Sequence, residues 1–296
     1  MEKRILLIVN PKAGRERHRE ELAGVVDILC ASGAFVTVCT TMHQGHARQI
    51  AATHGKQYDI VACFGGDGTL GETIAGLMTL PVRPPVGYIP MGTTNDMAQT
   101  LGIPKHAEAA ARVIMQGNPA PVDVGQFDND YFTYIAAFGA FTEVAYETPP
   151  ETKKMFGHFA YVLEGMGRLS KLSPQNLTVE YDGNKIEGEF IFGAVTNTTS
   201  IAGVLKLKED HVDLSDGAFE VILVKRPQNL IDLHHTFMNI MITQKFQSDH
   251  VRLIHAKEVR FLFDEPVSWT KDGEAGGSHT DVTLKTIQPG VQIFVP

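Results

Sequence analysis

Short apolar runs alternate with helical patterns through the first 125 residues, and this alternation restricts the possible folds more than any other feature of the chain. The apolar runs occupy residues 5–9, 35–40, 60–64 and 86–89. Strand, loop and helix in repeated order are typical of a mainly parallel sheet with helices on both faces. Such sheets bind ligands at the carboxyl ends of their strands. The glycine-rich loops of the chain lie at those ends, so we expect a ligand site there.

The pattern changes after Val124. Turn residues at 128–130 and 182–184 separate pairs of extended runs, which indicates two hairpins. Helical patterns are limited to residues 156–171 and 230–245. Further strands are predicted at residues 219–224, 259–263 and 291–295. Strands joined mostly by tight turns are typical of an antiparallel sandwich.

Two domains follow from this change of pattern. We predict an α/β domain with a mainly parallel sheet over residues 1–123 and a β-rich sandwich domain over residues 124–296. The last strand could return to the first domain. The length of 296 residues agrees with this division at about 150 residues per domain. Since no low-complexity linker separates the domains, we expect them to pack with a cleft between them.

Composition excludes several classes of protein. With 26 basic and 34 acidic residues the net charge is -8, which argues against a protein that coats nucleic acid. Cys30, Cys39 and Cys63 have no CxxC spacing, so we expect reduced thiols in a cytoplasmic protein and no disulfide framework. The amino-terminal run at residues 5–9 is too short for a signal peptide. No run approaches the roughly 18 apolar residues of a membrane span.

The strongest local motif is Gly-Gly-Asp-Gly-Thr at residues 65–69, directly after the apolar run that ends at Phe64. The glycines let the backbone turn sharply and expose consecutive N–H groups, and the following helix adds the positive end of its dipole. This arrangement suits a polyphosphate. A tight strand-to-helix turn without a ligand is the alternative interpretation.

Two further polar loops follow neighbouring strands. Residues 90–96 carry hydroxyl, amide and carboxylate groups that can bind phosphate, ribose or metal-bound water, although Thr94 or Asn95 could instead cap a helix. Residues 10–14 offer an amide, a cation and a glycine ahead of a helix. Because the chain contains no P-loop motif, three loops on one sheet edge predict a nucleotide site of a different design.

Acidic residues outside these loops leave two interpretations open. Asp272-Gly273-Glu274 by itself most often marks a turn, but its carboxylates could also serve in catalysis. Asp123 and Asp216 have the same ambiguity, because each could simply hold a strand end or a turn.

Together these motifs resemble the diacylglycerol kinase catalytic family, in the type found in soluble bacterial lipid kinases. Residues 10–14, 65–69, 92–96 and 272–274 stand in the family's order, and the resemblance covers essentially the whole chain. It implies an α/β nucleotide-binding domain followed by a β-rich domain, as in NAD kinases and diacylglycerol kinases, with ATP in the cleft. The residues that would contact ATP are Asn10, Pro11, Lys12, Ala13, Gly14, Thr41, Gly65, Gly66, Asp67, Gly68, Thr69, Leu70, Gly71 and Thr93.

By the same resemblance, catalysis falls on acidic residues. The family's proton acceptor lies in the motif at 272–274, where Asp272 and Glu274 are both candidates, and Asp67 would act through the catalytic Mg²⁺ ion. The implied reaction is the ATP- and Mg²⁺-dependent transfer of the γ-phosphate to a lipid hydroxyl. Diacylglycerol is the expected acceptor and phosphatidate the expected product.

The resemblance also implies a structural Mg²⁺ site in the second domain. Asp216 would supply a carboxylate, and Asp213 and Ala218 would supply backbone carbonyls. A zinc site is not expected, because no His or Cys pair at ligand spacing completes a set.

One position and one segment depart from the family pattern in ways that bear on function. Gly71 stands where Asn or His is common, and residues 201–208 replace a glycine-rich segment that would line the acceptor side. The lipid acceptor is therefore the most open part of the interpretation. An NAD kinase-like enzyme is one rival, although the loop at 10–14 and the motif at 272–274 argue against it. A nucleotide-binding regulator without catalysis is the second rival, and the two departures keep it open.

A basic stretch with interspersed aromatic residues lies at 153–171. It is either a solvated helix face or a docking surface for anionic lipid head groups. We expect a cytoplasmic protein that contacts the membrane peripherally at its inner face and does not bind nucleic acid, and the family resemblance makes a homodimer reasonable.

Overall fold

The parallel part of the sheet lies where the apolar runs predict it. The computed structural model describes residues 2–13, 18–139, 174–201, 205–207, 212–226, 232 and 248–296. The parallel strands are β1 (Lys3–Val9), β2 (Ala34–Thr40), β3 (Ile60–Gly65) and β4 (Val86–Pro90). They lie in the order β4-β3-β1-β2, and all three neighbouring pairs are parallel. β3 and β4 are buried along their whole length, which explains their continuous apolar sequences.

Helices alternate with these strands, as the sequence predicts. They are α1 (His18–Ala31), α2 (His46–His54) with a 3₁₀ turn over Gly55–Gln57, α3 (Asp67–Leu77), α4 (Asp96–Thr100) and α5 (Ala107–Gln116). α1 packs against α5, and α2 packs against α3. The sequence patterns did not single out α5, whose buried face consists mainly of alanines with Ile114.

From β5 onward the strands are mostly antiparallel. Their bounds are β5 (Asn118–Phe127), β6 (Asp130–Phe132), β7 (Ile135–Gly139), β8 (Gln175–Tyr181), β9 (Asn184–Thr196), β10 (Ser200–Ile201), β11 (Leu205–Lys206), β12 (Phe219–Lys225), β13 (Val251–Ala256), β14 (Glu258–Lys271) and β15 (Glu274–Val295). In the described parts of the chain most of them extend the parallel sheet, in the order β13-β12-β9-β7-β14-β15-β4-β3-β1-β2. β5, β6 and β8 pair with this sheet off that path, and β10 and β11 form a separate two-stranded sheet. The predicted fold class, an α/β half followed by a β-rich half, is confirmed.

An aromatic core fills the second half. Trp269 is fully buried, and its ring centroid lies 4.9 Å from that of Phe138, 5.1 Å from Phe261 and 5.3 Å from Phe127. This core fixes β14 immediately before the motif at 272–274. The helical patterns predicted at 156–171 and 230–245 and the basic stretch at 153–171 fall almost entirely outside the described residues.

The long strand β15 connects the two halves of the molecule. It pairs with β14 and β5, and Ile293 near its end pairs in parallel with Val86 of β4. Val291, Ile293 and Phe294 are buried in the same apolar core as the parallel strands. The turn that precedes β15 lies close to α3, since a methyl group on Gly68 would be 3.6 Å from Glu274 Oε1. None of the helices in the described ranges has the length and apolar character needed to cross a membrane.

Candidate active site

The three predicted loops converge at the carboxyl edge of the parallel strands. The Asn10 backbone N–H donates to the Phe64 carbonyl at 2.9 Å, and Asn10 Nδ2 donates to Thr69 Oγ1 at 3.0 Å. The Met91 N–H donates to the Gly65 carbonyl at 2.7 Å. The loop after β3 is therefore hydrogen bonded to the loop on either side, and the three loops form one unit.

Two glycines permit the closest approach between these loops. A Cβ atom on Gly66 would lie 3.1 Å from the Gly92 Cα, and one on Gly92 would lie 2.7 Å from the Gly66 Cα. Gly66 has φ −90° and ψ −175°, a conformation open to any residue. The need for glycine at position 66 thus comes from packing between the loops and not from backbone strain.

Replacing Gly66 with valine should therefore push the two loops apart and weaken nucleotide binding. We expect roughly a tenfold or larger loss of ATP affinity, since overpacking costs about 1–3 kcal/mol. Gly66→Ala should give a smaller loss in the same direction. Calorimetric titration with ATP measures both, with thermal unfolding as the check on folding. An unchanged affinity in both variants would show that this loop is only a turn.

A first cavity of about 470 Å³ lies between the loops, within the usual size range of ligand sites. Of the residues predicted to contact ATP, the structure places Asn10, Lys12, Ala13, Thr41, Gly66, Gly68 and Thr69 in its lining. Gly92 and Glu274 also line it. The first cavity therefore brings together the loops after β1, β3 and β4 with Glu274 at the start of β15.

Other residues predicted to contact ATP lie elsewhere. The Leu70 side chain is fully buried, and its N–H donates to the Gly66 carbonyl at 3.0 Å, so Leu70 anchors α3 and does not face the cavity. Gly65 is buried against the Thr69 side chain. Pro11 and Thr93 are exposed residues outside the lining of the first cavity. Gly14 lies outside the described residues.

Asp67 connects the central loop to the start of α4. Its Oδ2 accepts a hydrogen bond from the Asp96 N–H at 3.0 Å, and its Oδ1 accepts one from the Met97 N–H at 3.2 Å. Burial raises the pKa of Asp67, although these N–H groups oppose the rise. Asn95, one of the predicted caps of α4, has φ 55° and no side-chain capping bond. Asp67 supplies the cap instead, and it does so from 29 residues earlier in the chain.

Asp272 and Gly273 form a tight hairpin turn between β14 and β15. Both have positive φ angles, 48° and 82°, as a two-residue turn of type I′ requires. The two residues therefore form a turn, and this geometry leaves a catalytic role for the motif open. Because Lys271 and Glu274 face each other across this turn as a register pair, their side chains share one face of the hairpin, while Asp272 lies in the turn itself.

Both oxygens of the Asp272 carboxylate accept hydrogen bonds from backbone donors. Oδ2 accepts a hydrogen bond from the Thr133 N–H at 2.7 Å, and Oδ1 accepts bonds from the N–H groups of Tyr134 and Ile135 at 3.0 and 3.1 Å. Burial raises the pKa of Asp272 to about 6 despite these three donors. Asp272 therefore ties the hairpin to the segment between β6 and β7.

Glu274 faces the cavities. It lines the first cavity and also an adjoining second cavity of about 320 Å³, which extends toward Gly71, Asp272 and Lys271. Burial raises the pKa of Glu274, while a hydrogen bond from Gln44 and the nearby charge of Lys271 oppose the rise. A partly buried carboxylate with a raised pKa at the junction of two cavities is suited to act as a proton acceptor.

Gly71 makes room for the Asp272 carboxylate. A Cβ atom at position 71 would lie 2.9 Å from Asp272 Oδ2, closer than the carboxylate could tolerate without moving. Gly71 lies in the second cavity and not in the first. Glycine at position 71, which departs from the family pattern, thus allows α3 to lie close to the turn at 272–274.

Sequence reasoning missed two residues at the junction of the cavities. Glu72 accepts hydrogen bonds from the N–H groups of Gly45 at 2.7 Å and Ala47 at 3.1 Å, and it thereby caps α2. Glu72 and Gln44 line both cavities. No sequence pattern around Glu72 or Gln44 predicts a place at the junction of the cavities. The hydrogen-bond partners of Glu72, for example, lie more than 20 positions earlier in the chain.

The predicted structural metal site lies in the turn before β12. Asp216 Oδ1 accepts a hydrogen bond from the Ala218 N–H at 3.0 Å, and Asp216 Oδ2 is 3.1 Å from His255 Nε2. Asp213 Oδ1 accepts bonds from the Ser215 N–H and hydroxyl at 3.0 and 3.1 Å. The carboxylates of Asp213 and Asp216 thus both belong to one short turn.

Two buried acceptors beside this turn are unsatisfied. Asp123 Oδ2 accepts a hydrogen bond from the Gly217 N–H at 2.7 Å, but Asp123 Oδ1 has no hydrogen-bond partner among the described residues. Asn197 Oδ1 is likewise buried without a partner there, while its Nδ2 donates to the Asp123 carbonyl at 3.2 Å. An unpaired buried acceptor costs about 1–3 kcal/mol, so the site favours a cation or a water molecule.

The charge around this turn also favours a cation. Burial raises the pKa of Asp123, and the nearby carboxylates of Asp216 and Asp213 raise it further. Burial and the same two carboxylates raise the pKa of Glu220 to about 8. Among the described residues, no group of three or more His, Cys, Asp and Glu side chains has the arrangement of a metal site. Backbone oxygens and water would have to complete the coordination here.

Each half of the chain matches a known protein family model. The family model described as "Diacylglycerol kinase catalytic domain" matches residues 4–127, and the one described as "YegS C-terminal NAD kinase beta sandwich-like domain" matches residues 138–294. A diacylglycerol kinase of Bacillus subtilis (strain 168) is 36% identical over 279 residues, which cover 93% of this chain and 91% of the relative. A diacylglycerol kinase of Staphylococcus aureus (strain MRSA252) is 35% identical and covers 100% of this chain and 93% of its own length.

Solved structures show the same architecture. The crystal structure of a diacylglycerol kinase from Bacillus anthracis (strain Sterne) superposes with a TM-score of 0.79 at 25% identity, covering 99% of this chain and 97% of its own. Another structure from the same organism superposes with a TM-score of 0.85 at 26% identity and covers 99% of this chain and 95% of its own. The structural similarity therefore extends over 99% of this chain.

Proposed function

The chain belongs to the diacylglycerol kinase family and is a lipid kinase, and on that premise we propose that it transfers the γ-phosphate of ATP to the hydroxyl of diacylglycerol, with phosphatidate as the product. The observation that carries the proposal is the position of Glu274. Glu274 lines a cavity built from glycine-rich loops and also the adjoining second cavity. A base between a phosphate site and an acceptor site is the arrangement that phosphoryl transfer to an alcohol requires.

ATP would bind in the first cavity. Gly66 and Gly68 bring backbone N–H groups and the start of α3 to the lining, which suits the phosphates. Lys12 adds a cation to the same lining, and Thr41 and Thr69 add hydroxyls. Mg²⁺ bound to the nucleotide would neutralise charge on the phosphate oxygens as transfer proceeds. Asp67 would hold the loops that form this cavity, and its action through that Mg²⁺ stays a prediction.

The proton of the attacking hydroxyl would pass to Glu274. We favour Glu274 over Asp272 because both oxygens of Asp272 already accept hydrogen bonds from the backbone of residues 133–135. Glu274 accepts one hydrogen bond from Gln44 and keeps part of its surface in the cavities. Asp272 would then position the hairpin that carries the base.

The turn at 213–218 would hold the structural Mg²⁺, and the residues present fit that ion. Asp216 would supply a carboxylate oxygen, and Asp213 and Ala218 would supply backbone carbonyls. The unsatisfied oxygens of Asp123 and Asn197 and the raised pKa values nearby support a cation at this place. When bound, Mg²⁺ would neutralise the acidic residues and fix the turn.

Replacing Asp216 with alanine should lower thermal stability more than it lowers turnover per folded molecule, since this turn lies apart from both cavities. Wild-type protein should lose stability on treatment with a chelator and regain it with Mg²⁺. The variant should respond to neither treatment. Asp249→Ala, at an exposed acidic position, is the matched control and should keep the wild-type response. Melting curves that are unaffected by both substitution and chelation would disprove the structural metal.

Turnover assays separate the proposed function from its rivals. Radiolabelled ATP should label diacylglycerol in mixed micelles, and ATP turnover should depend on the lipid. An NAD kinase-like enzyme would instead label NAD in the absence of lipid. A non-catalytic regulator would bind ATP without turnover. The contact between Gly71 and Asp272 weakens the argument for that regulator, because the departure at position 71 has a packing explanation.

The same proposal assigns a role to each of the two domains. Residues 1–123 would form the nucleotide-binding domain, and residues 124–296 would form the lipid-substrate domain. A lipid acceptor requires peripheral contact with a membrane, and ATP implies its cytoplasmic face. A homodimer stays a prediction for size measurement in solution.

A further inference from the structure

The second cavity contains a group of charged residues that the proposed reaction does not yet use. Asp130 Oδ1 is 2.7 Å from Arg48 Nη1, and Asp130 Oδ2 forms an ion pair with Lys271 Nζ. All three residues line the second cavity beside Glu274. The Lys271 side chain is only 15% exposed, and its ammonium lies 5.3 Å from the centroid of the Phe127 ring. Lys271 is therefore a held, partly desolvated cation and not a mobile surface lysine.

From this arrangement we propose that the second cavity holds the head group of the acceptor lipid, and that Lys271, supported by Arg48, selects a neutral glycerolipid by donating to the ester carbonyl beside its hydroxyl. The inference rests on the proposed function, since it assumes transfer to a lipid hydroxyl. It adds the place where the acceptor binds and the side chains that recognise it.

The hairpin geometry places Lys271 beside the proposed base. Lys271 and Glu274 are a directly opposed register pair across the Asp272-Gly273 turn, so their side chains lie on the same face of the hairpin. A hydroxyl bound at Glu274 would therefore have the Lys271 ammonium within the same small cavity. In a diacylglycerol, the ester nearest to that hydroxyl is one carbon away along the glycerol. One lysine can thus reach the ester while the neighbouring carboxylate receives the proton.

The donors and charges of the cavity indicate the class of acceptor. A lysine ammonium has three N–H donors and an arginine has five, so the bonds to Asp130 leave several for a ligand. Burial would raise the pKa of Asp130, but Lys271 and Arg48 lower it below its ordinary value, which keeps the ion pairs charged. Glu72, Asp272 and Glu274 also line the cavity and oppose an acidic head group. A neutral head group rich in carbonyl oxygens fits this balance.

The test compares an ester with an ether acceptor. 1,2-Dioctanoylglycerol and 1,2-dioctylglycerol carry the same hydroxyl and chains of equal carbon number, but the ether lacks carbonyl oxygens. Wild-type protein should prefer the ester by about ten- to hundredfold in kcat/KM. This factor corresponds to the free energy that one hydrogen bond to a charged group contributes. Lys271→Met should reduce that ratio to within about twofold, with little change in the KM for ATP. Lys271→Arg should retain most of the preference.

Lys285→Met is the matched control, because Lys285 is an exposed lysine of β15 that pairs with Glu258 at 3.0 Å. It should keep the wild-type ratio. Arg48→Met provides a second route to the same loss should Lys271→Met fail to fold. Two results would overturn the inference and leave the kinase proposal intact. One is a folded Lys271→Met or Arg48→Met variant that keeps the ester-to-ether ratio of the wild-type protein. The other is a wild-type protein that does not discriminate between the two acceptors. A wild-type protein that phosphorylates neither acceptor would overturn both.

Discussion

Replacing Glu274 with glutamine should lower kcat by about 10²–10⁴-fold, the usual contribution of a general base. Glutamine keeps the size of the side chain and can still pair with Gln44, but it cannot accept the proton of the attacking hydroxyl. The KM for ATP and the melting temperature should change little, because Glu274 is only partly buried and the loops that form the first cavity are untouched. Steady-state kinetics with saturating lipid measure the effect.

The same assay on Glu72→Gln gives the control for charge alone. Glu72 lines both cavities, as Glu274 does, but its oxygens accept hydrogen bonds from the N–H groups of Gly45 and Ala47. We expect a much smaller loss of kcat there, accompanied by a loss of stability. Near-normal turnover in Glu274→Gln would exclude Glu274 as the base and would return the role to Asp272 or Asp67.

Replacing Asp272 with asparagine should destabilise the protein by about 1–3 kcal/mol, because at least one backbone N–H of residues 133–135 would lose its acceptor. Asparagine tolerates the positive φ of this position, so the turn itself should survive. Denaturant unfolding measures the loss. Activity per folded molecule should fall less than in Glu274→Gln. A stable variant with a kcat reduced by 10²-fold or more would instead identify Asp272 as the base.

The pH dependence of the Asp272 effect has a defined sign. The folded protein, with the pKa of Asp272 raised to about 6, retains a proton that the unfolded chain releases near pH 4. This carboxyl therefore contributes stability below about pH 4 that is lost as the pH rises to about 6. The stability advantage of wild-type protein over Asp272→Asn should be larger at pH 4 than at pH 7. Parallel melting curves for the two proteins over this range would contradict the raised pKa.

Much of the fold could be predicted because it depends on local patterns. The strands β1 to β4 are mainly apolar runs, and each is followed along the chain by a helix. The hairpin at Asp182-Gly183 and the turn at Asp272-Gly273 follow from residues that tolerate positive φ. α5 was not singled out because its buried face is mostly alanine, which contrasts little with the neighbouring residues.

The placing of the three loops at one edge of the sheet was also determined by the sequence alone. The carboxyl ends of parallel strands share one edge of the sheet, so the loops after β1, β3 and β4 were expected at that edge. The strand order β4-β3-β1 in the structure then places them side by side. The tertiary structure decided which residues of those loops face the cavity. Leu70 turns inward because α3 must bury one side against the sheet, and Gly65 is buried because it ends the buried strand β3. Gly66 and Gly68 stay at the lining of the first cavity.

The roles of the two carboxylates in the motif at 272–274 depended on tertiary structure. Sequence analysis left Asp272 and Glu274 as equal candidates, because spacing alone does not say which carboxylate is held by hydrogen bonds to the backbone. The backbone of residues 133–135, more than 130 positions earlier, captures both oxygens of Asp272. The register of the hairpin then sets Glu274 opposite Lys271 at the junction of the two cavities. Hydrogen bonds between such distant segments form only once the sheet has assembled, so no local pattern in the chain could reveal them.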